Sequence, residues 1–115
     1  MLVDDSVVRG TTCRKIVRML RRAKVKAVHL AVSSPPIVSP CLYGIDTPEE
    51  SQLIAARQSR ENVRKYLGVD TLHYLSLEGM LKSAAGDGPG GFCTACFTRD
   101  YPTPVRNGLR PPKGK

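Results

Sequence analysis

The feature that most constrains the fold is an apolar run that ends in two adjacent acids and continues into a loop rich in glycine and hydroxyls. Met1–Val3 precedes Asp4 and Asp5, and the following residues lead into a strongly basic segment. Ligands of open α/β sheets bind beyond the carboxyl ends of the strands. We therefore predict that a short strand ends at these acids, that a helix follows, and that the turn between them is a ligand site.

The next residues continue the pattern of a parallel α/β sheet. From Thr11 to Ala23 the apolar residues recur at helical spacing, with basic residues on the other faces. Residues 27–32 are rich in β-formers and end at a Ser-Ser-Pro-Pro turn, which is typical of a buried strand. Strand, helix and strand at this spacing predict part of a parallel sheet with flanking helices.

Later elements are indicated by capping residues. Thr47, followed by Pro and two Glu, predicts the start of a helix. We expect that helix to break near Ser59, which caps a second helix ending at Gly68. Residues 69–74 are a weaker strand candidate, and Ser76–Ala85 a short capped helix. The remainder is predicted to be irregular and to contain cysteines.

The turn after the first strand has the chemistry of a sugar-phosphate site. Free backbone N–H groups and the positive end of a helix dipole favour a phosphate at Arg9–Thr12. Gly10 permits close approach of the backbone to an anion. Asp4 and Asp5 can hold a pair of sugar hydroxyls or a Mg²⁺ ion. The alternative is a solvated turn with no ligand.

The charge of the chain is +8, from 18 Lys and Arg against 10 Asp and Glu. Seven of the basic residues lie within residues 14–26, away from the aromatic residues, so we interpret them as a solvated helix face and predict no nucleic-acid partner. No apolar run approaches the ~18 residues of a membrane span. Because the first residues include two acids and no signal-like segment, we expect a cytoplasmic protein with no membrane partner.

Cysteines form the second candidate site. Cys93 and Cys96 make a Cys-x-x-Cys pair, and Cys41 lies in an upstream Pro- and Gly-rich loop. Such a pair serves zinc, iron–sulfur and redox sites, although the redox role usually places it between a strand and a helix. A zinc site that also uses His73 remains an alternative. Cys13, in the first turn of the basic helix, is predicted to be a packing residue.

Several motifs in order resemble a known family. The first resembles the phosphoribosyl pyrophosphate motif of type I phosphoribosyltransferases. The full series, from Leu2 to about Thr103, resembles the C-terminal part of the amidophosphoribosyltransferases, enzymes that open purine biosynthesis. The stretches that carry this resemblance are 3–12, 33–37, 41–47 and 93–98.

The resemblance implies a partial type I phosphoribosyltransferase fold and assigns roles at the first site. Asp4 and Asp5 match the acids that hold Mg²⁺ and the ribose hydroxyls. The 5′-phosphate loop is matched by the residues that follow, so the implied substrate-binding set adds Ser6, Arg9, Gly10, Thr11 and Thr12. In the family, ammonia released from glutamine displaces pyrophosphate from phosphoribosyl pyrophosphate. Asp4 and Asp5 would stabilise positive charge on the ribose, and no residue is assigned as a general base.

At the cysteines, the resemblance implies three ligands of a [4Fe–4S] cluster, Cys41, Cys93 and Cys96. The family's fourth cysteine lies upstream of the matched segment, so the set is incomplete here. The resemblance also implies nucleotide inhibitors, a homo-oligomer in the full-length enzyme, and a glutamine-using domain that is missing from these residues.

The expected organisation has three parts. Residues 1–85 are the distal part of a phosphoribosyltransferase domain, 86–104 the cysteine segment, and 105–115 a disordered tail. We expect the chain to be a fragment that does not catalyse the full reaction alone. The alternatives are a non-catalytic module that binds phosphoribosyl compounds or nucleotides and, less favoured, a small metal-binding nucleic-acid protein.

Overall fold

A parallel three-stranded sheet organises the computed structural model, which describes residues 1–88 and 90–104. The strands are β1 (Leu2–Asp4), β2 (His29–Val32) and β3 (Thr71–Tyr74), and they lie in sequence order. Leu2 is in register with Leu30, which in turn pairs with Leu72. The predicted α/β class and parallel sheet are confirmed. Compared with the prediction, β2 and β3 each begin two residues later, and β1 is shifted by one residue.

Two helices cover one face of the sheet. The helix α1 (Thr11–Arg22) contacts α3 (Arg60–Leu67), and both contribute to the core. The side chains of Val17, Leu30 and Leu67 are almost completely buried. The predicted stripe of Ile16, Val17, Leu20 and Ala23 is confirmed only at Val17 and Leu20, since Ile16 and Ala23 are exposed and Cys13 is buried instead. The buried side of α1 packs onto the sheet because burial of apolar surface is the main favourable term in folding.

The opposite face of the sheet carries different residues. Val3 is 67% exposed and lies in register with Ala31, which pairs with His73. His29 and His73 are exposed on this face, and the Nδ1 atom of His29 lies 2.8 Å from Thr71 Oγ1. Alternating residues of each strand thus separate a buried face from an accessible one.

Capping residues explain why two helices have termini at the positions that the sequence predicted. Ser59 accepts a hydrogen bond from the Asn62 N–H at 3.2 Å, and Gly68 ends α3 in the left-handed conformation at φ 76°. Ser76 accepts from the Gly79 N–H at 3.0 Å and starts α4 (Leu77–Ala85). These local signals were sufficient because each one satisfies an end group of its own helix.

The prediction that a helix starts at Thr47 is wrong. The structure has only a 3₁₀ turn, Glu50–Gln52, followed by the short helix α2 (Ile54–Arg57). The Thr47 hydroxyl accepts a hydrogen bond from the Cys41 N–H at 2.7 Å, so it is not available as a cap. Glu50, predicted to complete a capping box, is bound by Arg99 at 2.7 Å.

A second correction concerns the cysteine segment, which contains a short helix, α5 (Ala95–Thr98), within a region predicted to be coil. The tail predicted to be disordered, 105–115, lies outside the described residues, and the boundaries near residues 85 and 104 stay predictions. Within the described ranges, no helix combines the length and apolar character needed to cross a membrane.

Candidate phosphoribosyl site and cysteine cluster

A single cleft of about 270 Å³ lies at the carboxyl end of β1. It is lined by ten consecutive residues, Asp4 to Cys13, and so brings together every residue predicted for the sugar-phosphate site. The strand delivers the acids to one side of the cleft, and the start of α1 forms the other side.

The carboxylates are held by short-range contacts. Asp4 Oδ1 accepts the Asp5 N–H at 2.9 Å, and the Ser6 hydroxyl donates to Asp5 Oδ1 at 3.2 Å. The carbonyl of Asp4 accepts the Ser33 N–H at 2.9 Å, which extends the pairing with β2. Asp4 is half-buried whereas Asp5 is exposed. The backbone of Asp4 is therefore fixed by the sheet, while Asp5 lies on the solvent-exposed side.

The start of α1 presents free donors. Gly10 is the N-cap residue at φ 79°, and no side chain caps the helix. The first backbone N–H groups of a helix have no partner within it, so those that follow Gly10 are available to an anion. Arg9, Thr11 and Thr12 are exposed around them.

Residues distant in the sequence support the loop from behind. The Ile54 N–H donates to the Val8 carbonyl at 3.0 Å, and Arg9 Nε donates to Gln52 Oε1 at 2.8 Å. A Cβ atom at Gly10 would lie 3.2 Å from both the Leu67 and Tyr66 side chains. Sequence reasoning missed this support, since no local signal links residues 52–67 to the loop.

Cys13, which lines the cleft, and Tyr74 near it have raised pKa values. Burial raises the pKa of the Cys13 thiol, and the negative charge of Asp4 raises it further. Burial also raises the pKa of Tyr74, whose hydroxyl has no hydrogen-bond partner in the described structure. Cys13 is 3% exposed and belongs to the core, as predicted for a packing residue.

The cysteine segment folds back onto the Pro-rich loop after β2. The Cys96 carbonyl accepts the N–H groups of Val38 and Ser39 at 2.9 and 3.1 Å. Burial raises the pKa of the Cys96 thiol, and negative charge at Cys41 and Cys93 raises it further, so both of these sulfurs lie near Cys96. We refer to Cys41, Cys93 and Cys96 as the cysteine cluster.

Tyr101 holds this arrangement together, a role that no sequence motif indicates. Its hydroxyl donates to the Pro40 carbonyl at 2.6 Å and lies 2.6 Å from the hydroxyl of the fully buried Ser39. Its ring centroid lies 6.2 Å from that of Tyr43. The cluster therefore depends on contacts between residues about sixty positions apart.

As a metal site the cluster is incomplete. Among residues 1–88 and 90–104, no three His, Cys, Asp or Glu side chains are arranged to hold a metal ion. Cys13, the fourth cysteine, is in the core beneath the other site, and His73 lies on the open face of the sheet. The structure thus brings three thiols into one region without a fourth ligand.

Known proteins resemble the chain closely in sequence. It is 52% identical over 108 residues, 91% of its length, to an amidophosphoribosyltransferase of Bacillus subtilis. Identity is 52% over 102 residues, or 89% of the chain, with the chloroplastic amidophosphoribosyltransferase 2 of Arabidopsis thaliana. With the enzyme of Methanocaldococcus jannaschii it is 50% over 105 residues. The chain belongs to the amidophosphoribosyltransferase family. No protein-family model matches it.

Solved structures extend this family match to the fold. A glutamine phosphoribosylpyrophosphate amidotransferase from B. subtilis, complexed with ADP and GMP, superposes with a TM-score of 0.84 at 50% identity over 96% of the chain. A second, described as the allosteric regulatory enzyme of purine biosynthesis, gives 0.85 at 48% identity over 95%. The resemblance carried by the motifs is therefore confirmed at the level of family and fold.

The chain spans only a minor part of these amidophosphoribosyltransferases. It covers 23% of the Bacillus relative's length and 18% of the Arabidopsis relative's. In the two solved structures it covers 25% and 24% of the matching chain. The match includes both the cleft at β1 and the cysteine segment, since almost the whole of this chain is aligned.

Proposed function

We propose that the cleft binds 5-phosphoribosyl pyrophosphate together with Mg²⁺, as the sugar-phosphate site of an amidophosphoribosyltransferase. One observation carries this proposal: ten consecutive residues line one cleft that has two carboxylates on one side and an uncapped helix start on the other. The family relationship of the chain supports the same ligand.

The phosphate end of the ligand lies at the start of α1. Backbone N–H groups after Gly10 and the positive end of the helix dipole favour a dianionic 5′-phosphate there. Thr11 and Thr12 add hydroxyl donors, and Arg9 adds a positive charge beside the loop. Ser6 lies between the phosphate loop and the acids, and its hydroxyl would have to exchange its 3.2 Å hydrogen bond to Asp5 Oδ1 for a ligand oxygen.

The ribose end lies against Asp4 and Asp5. Their carboxylate oxygens accept hydrogen bonds from the two ring hydroxyls and orient the anomeric carbon toward the open side of the cleft. Mg²⁺ prefers oxygen ligands and commonly takes one or two carboxylates plus phosphate oxygens and water, so the acid pair fits it. When bound, the ion supplies charge that neutralises pyrophosphate as it leaves.

The reaction proposed for the complete enzyme is displacement at the anomeric carbon. Ammonia derived from glutamine forms the new C–N bond, the C–O bond to pyrophosphate breaks, and a proton leaves the nitrogen to give 5-phosphoribosylamine. Positive charge develops on the ribose ring in the transition state, and the fixed negative charge of Asp4 and Asp5 stabilises it. Neither acid has to accept a proton, so binding and orientation are the contributions of these residues.

The binding proposal is tested by calorimetry on the chain. We expect heat on addition of 5-phosphoribosyl pyrophosphate with Mg²⁺ and a much weaker response when the metal is omitted. Asp4→Asn combined with Asp5→Asn should weaken binding at least tenfold, because the metal and two sugar contacts are lost. Asp87→Asn, an exposed acid in a distant loop, is the matched control. Equal affinity in the double variant and the control would show that the acids do not form the site.

We further propose that the cysteine cluster supplies three ligands of a [4Fe–4S] cluster whose fourth ligand comes from outside these 115 residues. The three thiols are grouped because the Pro-rich loop after β2 that leads to Cys41 is hydrogen-bonded to the Cys96 carbonyl, and Cys93 and Cys96 form one Cys-x-x-Cys pair. Among the described residues these three thiols are not arranged around a common metal position, and a fourth ligand is absent, so the proposal rests on the family relationship and no step of the reaction is assigned to the cluster.

This second proposal has its own test. Anaerobic reconstitution with iron and sulfide, with an added small thiol as the fourth ligand, should produce an iron–sulfur chromophore in the parent chain. Cys93→Ala should abolish it. Cys13→Ala should not, because Cys13 is in the core of the other region. Equal iron and sulfide incorporation in both variants would contradict the assignment.

Further properties follow from the family and remain proposals. Since one Bacillus relative is described in complex with ADP and GMP, we propose that purine nucleotides compete for or regulate the site. A homo-oligomeric full-length enzyme and a cytoplasmic location are proposed on the same grounds, while the two plant relatives named 1 and 2 are described as chloroplastic.

A further inference from the structure

An ion pair connects the cysteine segment to the 3₁₀ turn Glu50–Gln52. Arg99 Nη2 lies 2.7 Å from Glu50 Oε1, and the two side chains are 34% and 12% exposed. The other oxygen of Glu50 and the Nε atom of Arg99 are buried and have no partner among the described residues. Glu50 is therefore largely shielded from water and depends on Arg99 for compensation of its charge, whereas Arg99 keeps about a third of its side chain in contact with solvent.

The same turn contacts the phosphate loop on its other side. Gln52 Oε1 accepts a hydrogen bond from Arg9 Nε at 2.8 Å, and the Ile54 N–H, two residues further on, binds the Val8 carbonyl at 3.0 Å. Residues 50 and 52 belong to one tight turn, closed by hydrogen bonds from the Gln52 and Leu53 N–H groups. A displacement at Glu50 therefore moves Gln52 as well.

We propose that the turn Glu50–Gln52 couples the position of the cysteine segment to the shape of the phosphate loop. Arg99 holds Glu50, the turn holds Gln52, and Gln52 holds the Arg9 guanidinium beside the phosphate subsite. Gln52, Glu50 and Arg99 are positioning residues in this scheme, because they act through Arg9 and the loop backbone. The inference rests on the proposed function for its effect on ligand binding.

The physical reason for coupling is the cost of an unpaired buried charge. If the cysteine segment moves away, Glu50 loses the one cation that pairs with it among residues 1–88 and 90–104, and its carboxylate must reach water. The turn is too short to absorb that movement internally, so Gln52 and the Ile54 N–H shift with it. The hydrogen bonds to Arg9 and Val8 then weaken, and the loop loses its preorganised shape. Docking of the cysteine segment would thus raise affinity at the cleft.

Amide hydrogen exchange of the chain gives a readout that requires no ligand. In Arg99→Ala we expect faster exchange not only around α5 but also in residues 8–12, and in Gln52→Ala faster exchange in residues 8–12 alone. Arg99→Lys keeps the charge and should restore most of the protection. Glu61→Gln, which removes a 2.6 Å surface ion pair on α3, is the matched control and should leave residues 8–12 unchanged.

Calorimetry with 5-phosphoribosyl pyrophosphate and Mg²⁺ then measures the functional consequence. We expect Arg99→Ala and Gln52→Ala each to weaken binding about fivefold, the scale of one hydrogen bond to a charged group reduced by partial exposure. The double variant Arg99→Ala, Gln52→Ala should bind the ligand about as weakly as Gln52→Ala alone, because both changes act through the same contact with Arg9. If Arg99→Ala does not fold, Glu50→Gln provides the same test with a smaller change.

The outcomes separate this inference from the proposed function. Unchanged exchange of residues 8–12 in Arg99→Ala and Glu50→Gln would overturn the coupling, whatever the ligand does. Fully additive losses in the double variant would also overturn it. If the parent chain shows no ligand heat but the exchange changes as expected, the coupling is supported and the proposed ligand is wrong.

Discussion

The two candidate sites differ in how the chain builds them. The cleft at β1 is lined by ten consecutive residues, whereas the cysteine cluster joins a loop after β2 to a segment more than fifty residues later. The first stands on a buried sheet and two helices. The second is attached by polar contacts such as those of Tyr101 and by the ion pair of Arg99 with Glu50. A site that is local in sequence can be read from motifs, while a site assembled at long range depends on contacts that motifs do not contain.

The largest expected effect tests whether the sheet supports the cleft. Leu30→Ala removes a side chain that is 1% exposed at the centre of the sheet, and we expect it to lower the free energy of unfolding by about 3 kcal/mol. Val3→Ala, on the 67% exposed position of the neighbouring strand, is the control and should change it little. Urea unfolding followed by circular dichroism measures both. Similar losses in the two variants would contradict the assignment of the buried face.

A smaller effect is expected at the loop itself. Gly10→Ala imposes a side chain at φ 79° and adds contacts at 3.2 Å to Leu67 and Tyr66, so we expect a loss of about 2 kcal/mol. Gly68→Ala introduces similar backbone strain with only an ordinary contact at 3.8 Å, and should lose about 1 kcal/mol. Denaturant unfolding compares the two. Only Gly10→Ala should also reduce binding of 5-phosphoribosyl pyrophosphate. Equal behaviour would mean that crowding behind the loop does not matter.

The same contrast explains how much of the fold the sequence could predict. The class, α1, α3 and α4 were predictable, because apolar spacing and Ser caps act within a few residues. The helix expected at Thr47 was wrong because its hydroxyl is used by Cys41 and its Glu50 by Arg99, partners that lie outside the local pattern. The short helix α5 has no side-chain cap, and its sequence offers no local signal.

For the site, the residues that line the cleft could be predicted from the sequence, but the distant residues that pack behind its loop could not. Asp4, Asp5 and the loop after them are contiguous, so their meeting in one cleft requires only a strand and a helix. Gln52 and Tyr66 contact the loop through the tertiary fold alone. The same holds for the cysteine cluster. The motif indicates which cysteines belong to it, but the contact between Ser39 and Tyr101 that holds the surrounding backbone comes from the tertiary fold.

A third prediction concerns attachment of the cysteine segment. Tyr101→Phe removes a hydroxyl that lies 2.6 Å from both Ser39 Oγ and the Pro40 carbonyl. Leaving the buried Ser39 hydroxyl and the partly buried Pro40 carbonyl without this partner should cost about 1 kcal/mol. We expect the effect to be local, with faster amide exchange near residues 38–40 and 95–101 and little change in β1. Tyr43→Phe is the control, because its hydroxyl contacts Thr103 at an exposed position. Uniformly faster exchange across the sheet would show that the two regions are not separate.

The smallest effect is expected in acid and distinguishes the scaffold of the cleft from the cysteine segment. The Val28 N–H and the Arg21 guanidinium, each 2.7 Å from Asp70 Oδ2, lower the pKa of Asp70 in the folded chain. The unfolded chain binds this proton more readily, so the stabilisation is complete above the unfolded pKa of about 3.9 and is lost as the pH falls through the lower folded value.

Asp70→Asn should therefore be less stable than the parent near pH 7 and should lose less stability between pH 5 and pH 2. Urea midpoints across that range measure the difference, with Asp87→Asn as the exposed control. Because Asp70 joins α1 to the start of β3, the change should act on the sheet that carries the cleft. In Asp70→Asn, amide hydrogen exchange around Tyr101 should depend on pH in the same way as in the parent chain. A parallel change in both regions would mean that they unfold as one unit under acid, which would remove the distinction between a supported cleft and an attached cysteine segment.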